Sequence, residues 1–209
     1  MGTVPFSAEP ISIPPSLLIS ALGQVDDVGR CVSMDLKTPG NLLYLVGQTK
    51  DELGGSHFSL VEGLSGGEVP KMDAAAAKKT FVAIHKAIHA EVVRACHDLS
   101  EGGLAVAAAE MAFAGGLGAR VSLEKMPLAA DCSDLPSAAR LFSESNTRFL
   151  CEVPPERADA FEAILDGVPH AKVGEVTDSG RLEIRAGDAP IVTAGIAAMK
   201  EAWQKPLRW

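Results

Sequence analysis

The chain has 209 residues, 47% of them hydrophobic and 22% charged, with 27 acidic side chains against 19 Lys and Arg and a net charge of −8. On a prior of roughly 150 residues per domain this is one substantial domain and part of another, large enough to bury a core without staples. No basic cluster interrupts the acidic balance, which excludes nucleic acid as a partner class. No run of about 18 apolar residues is present, so no membrane partner is expected either.

The four cysteines, Cys31, Cys96, Cys132 and Cys151, show no Cys-x-x-Cys spacing. They read as reduced thiols of a cytoplasmic protein.

In chain order, residues 1–23 carry Pro5, Pro10, Pro14 and Pro15, then the apolar run Leu17-Leu18-Ile19-Ser20-Ala21-Leu22. They predict an extended segment followed by a strand. Val25 to Leu36 is also strand-like and breaks at Pro39-Gly40. This pair of strands has nothing local to cover it, so residues 1–38 are expected to be the incomplete end of a β-rich domain and residues 39–209 an α/β domain.

Asn41 to Gly47 is a nearly continuous apolar run, the pattern of a strand covered on both faces. Residues 50–72 form a long glycine-containing loop with a short helical piece around 56–62, and loops of that length usually have a task or lie at an interface. Lys50, Asp51 and Glu52 read as a solvated charge run or a domain-contact loop. Asp73 caps a helix running to about His89, with Phe81, Ile84, His85 and Ile88 on one face. His85 and His89 are four apart, but Lys86 stands where a zinc protease motif has Glu, so they read as half-buried helical histidines.

Val92–His97 is a strand. After it the loop His97-Asp98-Leu99-Ser100-Glu101-Gly102-Gly103 opens a helix over 103–114, ended at Gly115-Gly116. A helix start leaves backbone N–H groups unpaired at the positive end of its dipole, where an anion is welcome. Asp98, Ser100 and Glu101 are suited to a metal, a hydroxyl or an amine. Neither a P-loop nor a dinucleotide fingerprint is complete here, so a plain turn capped by Ser100 competes with a ligand site. His97, at the strand end, reads as a hydrogen-bonding residue or a ligand contact.

Ala119–Leu123 is a strand and Ala138–Phe142 a helix. The loop Ser143-Glu144-Ser145-Asn146 then leads to a strand over Arg148–Val153, and Arg148 reads as an ion-pair partner of Glu144. Pro154-Pro155 opens a helix through Phe161, Ile164 and Leu165. Val173–Val176 and Leu182–Arg185 predict a strand pair turned at Asp178-Ser179-Gly180, and Ile191 to about Trp203 a helix. Strands alternating with helices give an α/β class, a layered domain with a mixed sheet covered by helices. Sites in such folds gather at one edge of the sheet. The polar loops 98–103 and 143–146 are therefore expected to meet in one shallow pocket.

His97-Asp98-Leu99-Ser100-Glu101-Gly102-Gly103-Leu104, together with Thr49-Lys50-Asp51-Glu52-Leu53-Gly54-Gly55-Ser56, Phe142-Ser143-Glu144-Ser145-Asn146-Thr147-Arg148-Phe149 and Ile11-Ser12-Ile13-Pro14-Pro15-Ser16-Leu17-Leu18-Ile19, resembles the large subunit of phosphoribosylformylglycinamidine synthase. The resemblance implies the last α/β domain of that subunit, of the aminoimidazole ribonucleotide synthetase C-terminal type, preceded by the closing strands of a β-rich domain. It implies a share in an ATP- and magnesium-dependent C–N ligase of purine biosynthesis, which converts formylglycinamide ribonucleotide and glutamine-derived ammonia to formylglycinamidine ribonucleotide. The implied partners are the remaining domains of the large subunit, a glutaminase subunit and a small bridging subunit.

The catalytic histidine of that family lies in earlier domains, so no catalytic residue is expected in this chain and the chain alone is expected to be inactive. By position, Asp98 resembles a magnesium-binding aspartate of the family's internal repeat, and Glu144-Ser145-Asn146 resembles its Glu-Ser-Gln substrate loop. The candidate ligand or phosphate-binding residues are His97, Asp98, Ser100, Glu101, Gly102, Gly103, Glu144, Ser145 and Asn146. Ser100-Glu101 and Asn146 depart from the family pattern, which fits a duplicated site kept for a structural nucleotide or for assembly. Another ATP-dependent enzyme of the same superfamily and a non-catalytic assembly module are the alternatives. The apolar run at residues 11–36 is expected to pair with a second copy, giving a homodimer, or to fold back near the 50–72 loop.

Overall fold

The computed structural model describes residues 18–208; expectations that fall on residues 1–17 lie outside it. Seven strands form one sheet: β1 (Leu42–Val46), β2 (Ala95–Asp98), β3 (Gly118–Ser122), β4 (Phe149–Val153), β5 (His170–Thr177), β6 (Arg181–Ala186) and β7 (Ala189–Gly195), in the order β2-β4-β1-β5-β3-β6-β7. Six α-helices accompany them: α1 (His57–Glu62), α2 (Ala74–His89), α3 (Gly103–Gly115), α4 (Ser137–Phe142), α5 (Ala158–Ile164) and α6 (Ile196–Gln204). The sheet is mixed, with β3 and β6 parallel and the other pairs antiparallel. The α/β layered class read from the sequence is the observed one.

β1 is apolar throughout because both its faces are covered. Leu43 and Leu45 join the core under α3, α4 and α6, whereas Tyr44 and Val46 join the second core under α2 and α5. That second core takes nothing from β3, β6 or β7. Their other face instead carries an ion-pair ladder, Arg120 with Glu175 and Glu183 and Arg185 with Glu183. α3 needs no amphipathic pattern because it is the central helix of its layer, and its small residues Ala107, Ala108 and Ala112 let it pack closely against the sheet.

α2 begins and ends where the sequence predicts, with the Asp73 carboxylate accepting from the amides of Ala75 and Ala76. Its buried face is Ala77, Thr80, Ala83, Ile84 and Ala87, so Phe81, His85 and His89 turn outward rather than half-inward.

Four further expectations are corrected. Residues 18–36 form no strand: they are irregular apart from a 3-10 turn at Val28–Arg30, and Leu18, Ile19, Leu22, Val25 and Val28 are exposed. A strand needs a backbone partner as well as an apolar pattern, and only the end of this segment finds one. Ser33 C=O accepts from Cys96 N–H on the free edge of β2, Leu36 N–H donates to Met111 C=O, and the Leu36 side chain enters the core. The segment thus folds back at β2 and α3, not near the 50–72 loop.

β5 and β6 are consecutive but do not pair, because β3 lies between them. The first half of the helix expected from Ile191 is β7, which forms a hairpin with β6 around Gly187-Asp188. The β-branched run Ile191-Val192-Thr193 after a glycine turn was the available signal. Cys96 and Cys151 are cross-strand partners with sulfurs 3.7 Å apart, and the Cys151 thiol is pushed up by its hydrogen bond to Cys96 and by burial.

Candidate functional site

Asp98 ends β2, and five residues later α3 begins. β4, the neighbour of β2, starts at Phe149, so the 143–148 loop emerges at the same end of the sheet. The antiparallel register Asp98↔Phe149 sets the two loops side by side. Between them lies a cleft of about 400 Å³ lined by Asp98, Leu99, Ser100, Glu101, Glu144, Asn146, Thr147, Arg148 and Phe149, with Pro70 and Phe81 on its rim. Of the candidate residues, Asp98, Ser100, Glu101, Glu144 and Asn146 line this cleft. His97, Gly102, Gly103 and Ser145 stand behind it as supports.

The supports are specific. His97 Nε2 pairs with Glu110 Oε2 of α3 at 2.9 Å and its Nδ1 with Asp98 Oδ1 at 3.2 Å, so the imidazole links two carboxylates. Asp98 itself is 63% exposed. Gly102, not Ser100, is the N-cap of α3, in the left-handed region at φ 77°, and no side chain of its own caps the helix. Gly103 follows at φ 59°, and a Cβ there would lie 2.4 Å from Ser143 O and 2.9 Å from Leu141 O. The double glycine is therefore what lets the start of α3 press against the 143–148 loop.

Beneath the cleft runs a buried polar network. Arg148 is 1% exposed and is not the partner of Glu144 expected from the sequence. Its Nε donates to Ser145 O at 3.0 Å, one guanidinium NH2 to Thr49 Oγ1 at 2.9 Å and the other to Ser143 O. Burial pushes the guanidinium down to about 10, against the opposing fields of Glu52 and Glu144, and it stays charged at neutral pH. Ser143 Oγ donates to Lys50 O, and Ser145 Oγ accepts from Lys50 N–H. Glu52 is 4% exposed, which corrects the solvated charge run: one carboxylate oxygen accepts from Lys71 N–H at 3.0 Å and the other has no hydrogen-bond partner. Thr147, a β-branched residue, is held at φ 64°.

Chemically, the cleft presents the carboxylates of Asp98, Glu101 and Glu144, while Arg148, the one Lys or Arg among its lining residues, is turned toward backbone carbonyls and the Thr49 hydroxyl. A bare phosphate is opposed here, and one that arrives with a cation is accommodated. Among the described residues no group of three or more His, Cys, Asp or Glu side chains is arranged to hold a metal ion. Asp98 therefore fits magnesium only as one carboxylate beside ligand phosphates, which is how that ion is usually bound.

Sequence reasoning missed Glu52, Glu110 and Thr49, because Glu110 reaches the site through the packing of α3 on β2 and the other two through loop contacts that no local pattern announces. It also missed His57, whose position just after the Gly54-Gly55-Ser56 turn was the available hint.

Residues 38–187 match the family described as AIR synthase related protein, C-terminal domain. The chain belongs to that family. As an AIR synthase related domain it is 32% identical over 212 residues to the phosphoribosylformylglycinamidine synthase subunit PurL of Alkaliphilus metalliredigens, a match covering 99% of this chain and 28% of that protein. The chain thus spans little more than a quarter of the length of that curated relative. Thermotoga maritima PurL complexed with FGAR has a similar fold, with a TM-score of 0.73 at 22% identity over 82% of this chain and 30% of that one. Hydrogenase maturation protein HypE in complex with ATP has a TM-score of 0.57 at 19% identity, over 80% of this chain and 54% of that one. Both likenesses concern the fold that the AIR synthase related domain takes.

Proposed function

We propose that this chain is the carboxy-terminal α/β portion of a phosphoribosylformylglycinamidine synthase large subunit, with residues 1–38 leading in from a preceding domain and residues 39–209 forming the AIR synthase related domain. The observation that carries the reading is the reach of the similarity to PurL, which covers 99% of this chain, whereas the family domain alone accounts for residues 38–187. In the proposed reaction ATP phosphorylates the amide oxygen of formylglycinamide ribonucleotide and ammonia displaces the phosphate. The ammonia comes from a glutaminase subunit, a small bridging subunit completes the assembly, and the setting is the cytoplasm. Among the described residues no helix is long and apolar enough to cross a membrane.

This chain supplies no proton-transfer residue to the reaction. Asp98, Ser100, Glu101 and Asn146 are its ligand-facing side chains, and His97, Gly102, Gly103, Glu144 and Ser145 hold them in place. Asp98 supplies one carboxylate to a magnesium ion carried by the ligand's phosphates. Such an ion neutralises phosphate charge that the acidic cleft would otherwise repel. His97 and Glu110 fix the orientation of that carboxylate.

Calorimetric titration of the purified chain with ATP and magnesium, and separately with formylglycinamide ribonucleotide, tests the reading. Saturable binding by the intact chain, weakened at least about tenfold in Asp98→Asn, is the expected result, with no formylglycinamidine ribonucleotide made by the chain alone. Unchanged binding in Asp98→Asn removes the ligand role of the loop. Product from the isolated chain overturns the assignment of catalysis to other domains. The absence of any binding favours the assembly-module reading, to which the carboxylate already seated at the α3 N-terminus gives independent weight.

A further inference from the structure

The start of α3 has the double glycine and the positive dipole end of an anion site, and an anion is already there: both glycines are buried. Glu144 Oε1 accepts from Gly102 N–H at 2.9 Å and from His57 N–H at 3.0 Å. Gly102 is the N-cap of α3 and His57 the first residue of α1, so one carboxylate oxygen serves the N-termini of two helices. The His57 ring lies at its edge, with Nδ1 3.7 Å away.

The backbone around Glu144 is held on both sides. Arg148 donates to the carbonyls of Ser143 and Ser145, the two residues flanking it. Glu144 N–H donates to Glu52 O, and Lys50 N–H to the Ser145 hydroxyl. Gly103, bare of a side chain, brings the first turn of α3 against Ser143. Phe58, on α1, stacks on Phe142 with ring centroids 4.8 Å apart, so α1 is drawn to this loop by a second contact. Such over-determination exceeds what an ordinary loop carboxylate receives.

We propose that Glu144 is a resident anion: its carboxylate fills the position that an external phosphate would take at the start of α3, and the same oxygen fastens α1 to that position. A charged acceptor makes roughly twice as strong a bond as a neutral one, and the positive end of the 13-residue α3 faces it. Two consequences follow. Ligands in the cleft meet Asp98, Ser100 and Asn146 from the side and do not reach the amide of Gly102. The 57–72 segment, although exposed over much of its length, is coupled to the 98–103 loop through one atom. The inference stands on these hydrogen bonds and holds whatever ligand the cleft takes.

The test uses the full chain labelled with nitrogen-15 and inorganic phosphate as the probe, read at the amide signals of His57 and Gly102. In the wild-type chain neither signal shows a saturable response to phosphate. In Glu144→Ala both respond along one shared curve, at least about tenfold tighter than any wild-type response. In Glu144→Gln, which keeps an acceptor and removes the charge, both amide protons move upfield together. The amide of Ser59, capped separately by the Ser56 hydroxyl, stays in place. The Gln variant carries the test if the Ala variant does not fold. Saturable phosphate binding at Gly102 in the wild-type chain, a folded Glu144→Ala chain that gains none, or movement of only one of the two amides in Glu144→Gln overturns the proposal.

Discussion

Replacing Arg148 by Met keeps the volume of the side chain and removes the charge at the centre of the site's floor. In the native chain the guanidinium donates to two loop carbonyls and to the Thr49 hydroxyl, all of them buried. The substitution leaves these acceptors without a donor, at about 1–3 kcal/mol for each unsatisfied group before relaxation. It also withdraws one of the cationic fields on Glu52, leaving Lys50 Nζ at 3.8 Å beside a carboxylate whose second oxygen has no hydrogen-bond partner; uncovering a buried charge fully typically costs about 3–5 kcal/mol.

The desolvation of the guanidinium, visible in its lowered pKa, is recovered by the mutant and offsets part of this. A net loss of about 3–5 kcal/mol is expected. With a urea slope of about 2 kcal/mol per molar, the midpoint falls by about 1.5–2.5 M. Arg148→Lys retains the charge and loses the fork, so it is expected to fall between wild type and Met. Urea unfolding followed by circular dichroism measures all three. A Met variant within about 0.5 kcal/mol of wild type, the range of an ordinary surface change, would refute the view that this guanidinium organises the loop.

Gly103→Ala places a methyl against Ser143 O in a left-handed conformation, whereas Gly116→Ala, at φ 67° with nothing within 4 Å, carries the backbone penalty alone. The second is expected to lose about 1–2 kcal/mol and the first clearly more, and equal losses by thermal melting would contradict the close approach. The fully buried Glu152 carboxylate accepts from the amides of Lys37 and Thr38 and from the Asn41 side chain. Glu152→Ala is therefore expected to cost about 2–4 kcal/mol and to speed amide exchange at Lys37 and Thr38, and unaltered exchange there would sink the idea of a clamp. Leu18, Ile19, Leu22, Val25 and Val28 are exposed together, and burying such side chains is worth about 1.5–3 kcal/mol each. The intact chain should associate with rising concentration and a chain lacking residues 1–32 should not; a monodisperse intact monomer in sedimentation would remove that expectation.

The parts of the fold that were legible are those in which the local pattern has only one physical reading. A five-residue apolar strand, β1, implies cover on both faces. Asp73 before an alanine-rich run implies a capped helix, and Gly115-Gly116 implies its neighbour's stop. The parts that were not legible depend on partners. Leu18 to Leu36 has a strand's composition, but a strand exists only where another backbone satisfies it, and among the described residues the edge of β2 meets this segment at Ser33 alone. β5 and β6 are separated by a turn suited to a hairpin, yet β3 enters between them because Ala119 and Val121 complete the core row of Val173, Val176, Leu182 and Ile184. Core filling outweighs sequence proximity there.

The same distinction governs the site. Asp98 and Glu144 both stood out as carboxylates at polar loops beside strand ends, and the sheet does bring those loops to one edge. What sequence spacing could not separate is an anion site awaiting a ligand from one completed by the chain, since the double glycine and the helix start are identical in the two cases. The difference lies in a single side chain contributed from 42 residues further along, and it reverses the electrostatic character of the loop. With the Glu144 carboxylate at the Gly102 amide, the positive end of α3 is neutralised from within. The net charge offered to the cleft by Asp98, Glu101 and Glu144 is then negative. A nucleotide or phosphoribosyl ligand must bring a cation to such a surface, and that requirement ties the exposed position of Asp98 to the proposed reaction more firmly than its place in a motif does.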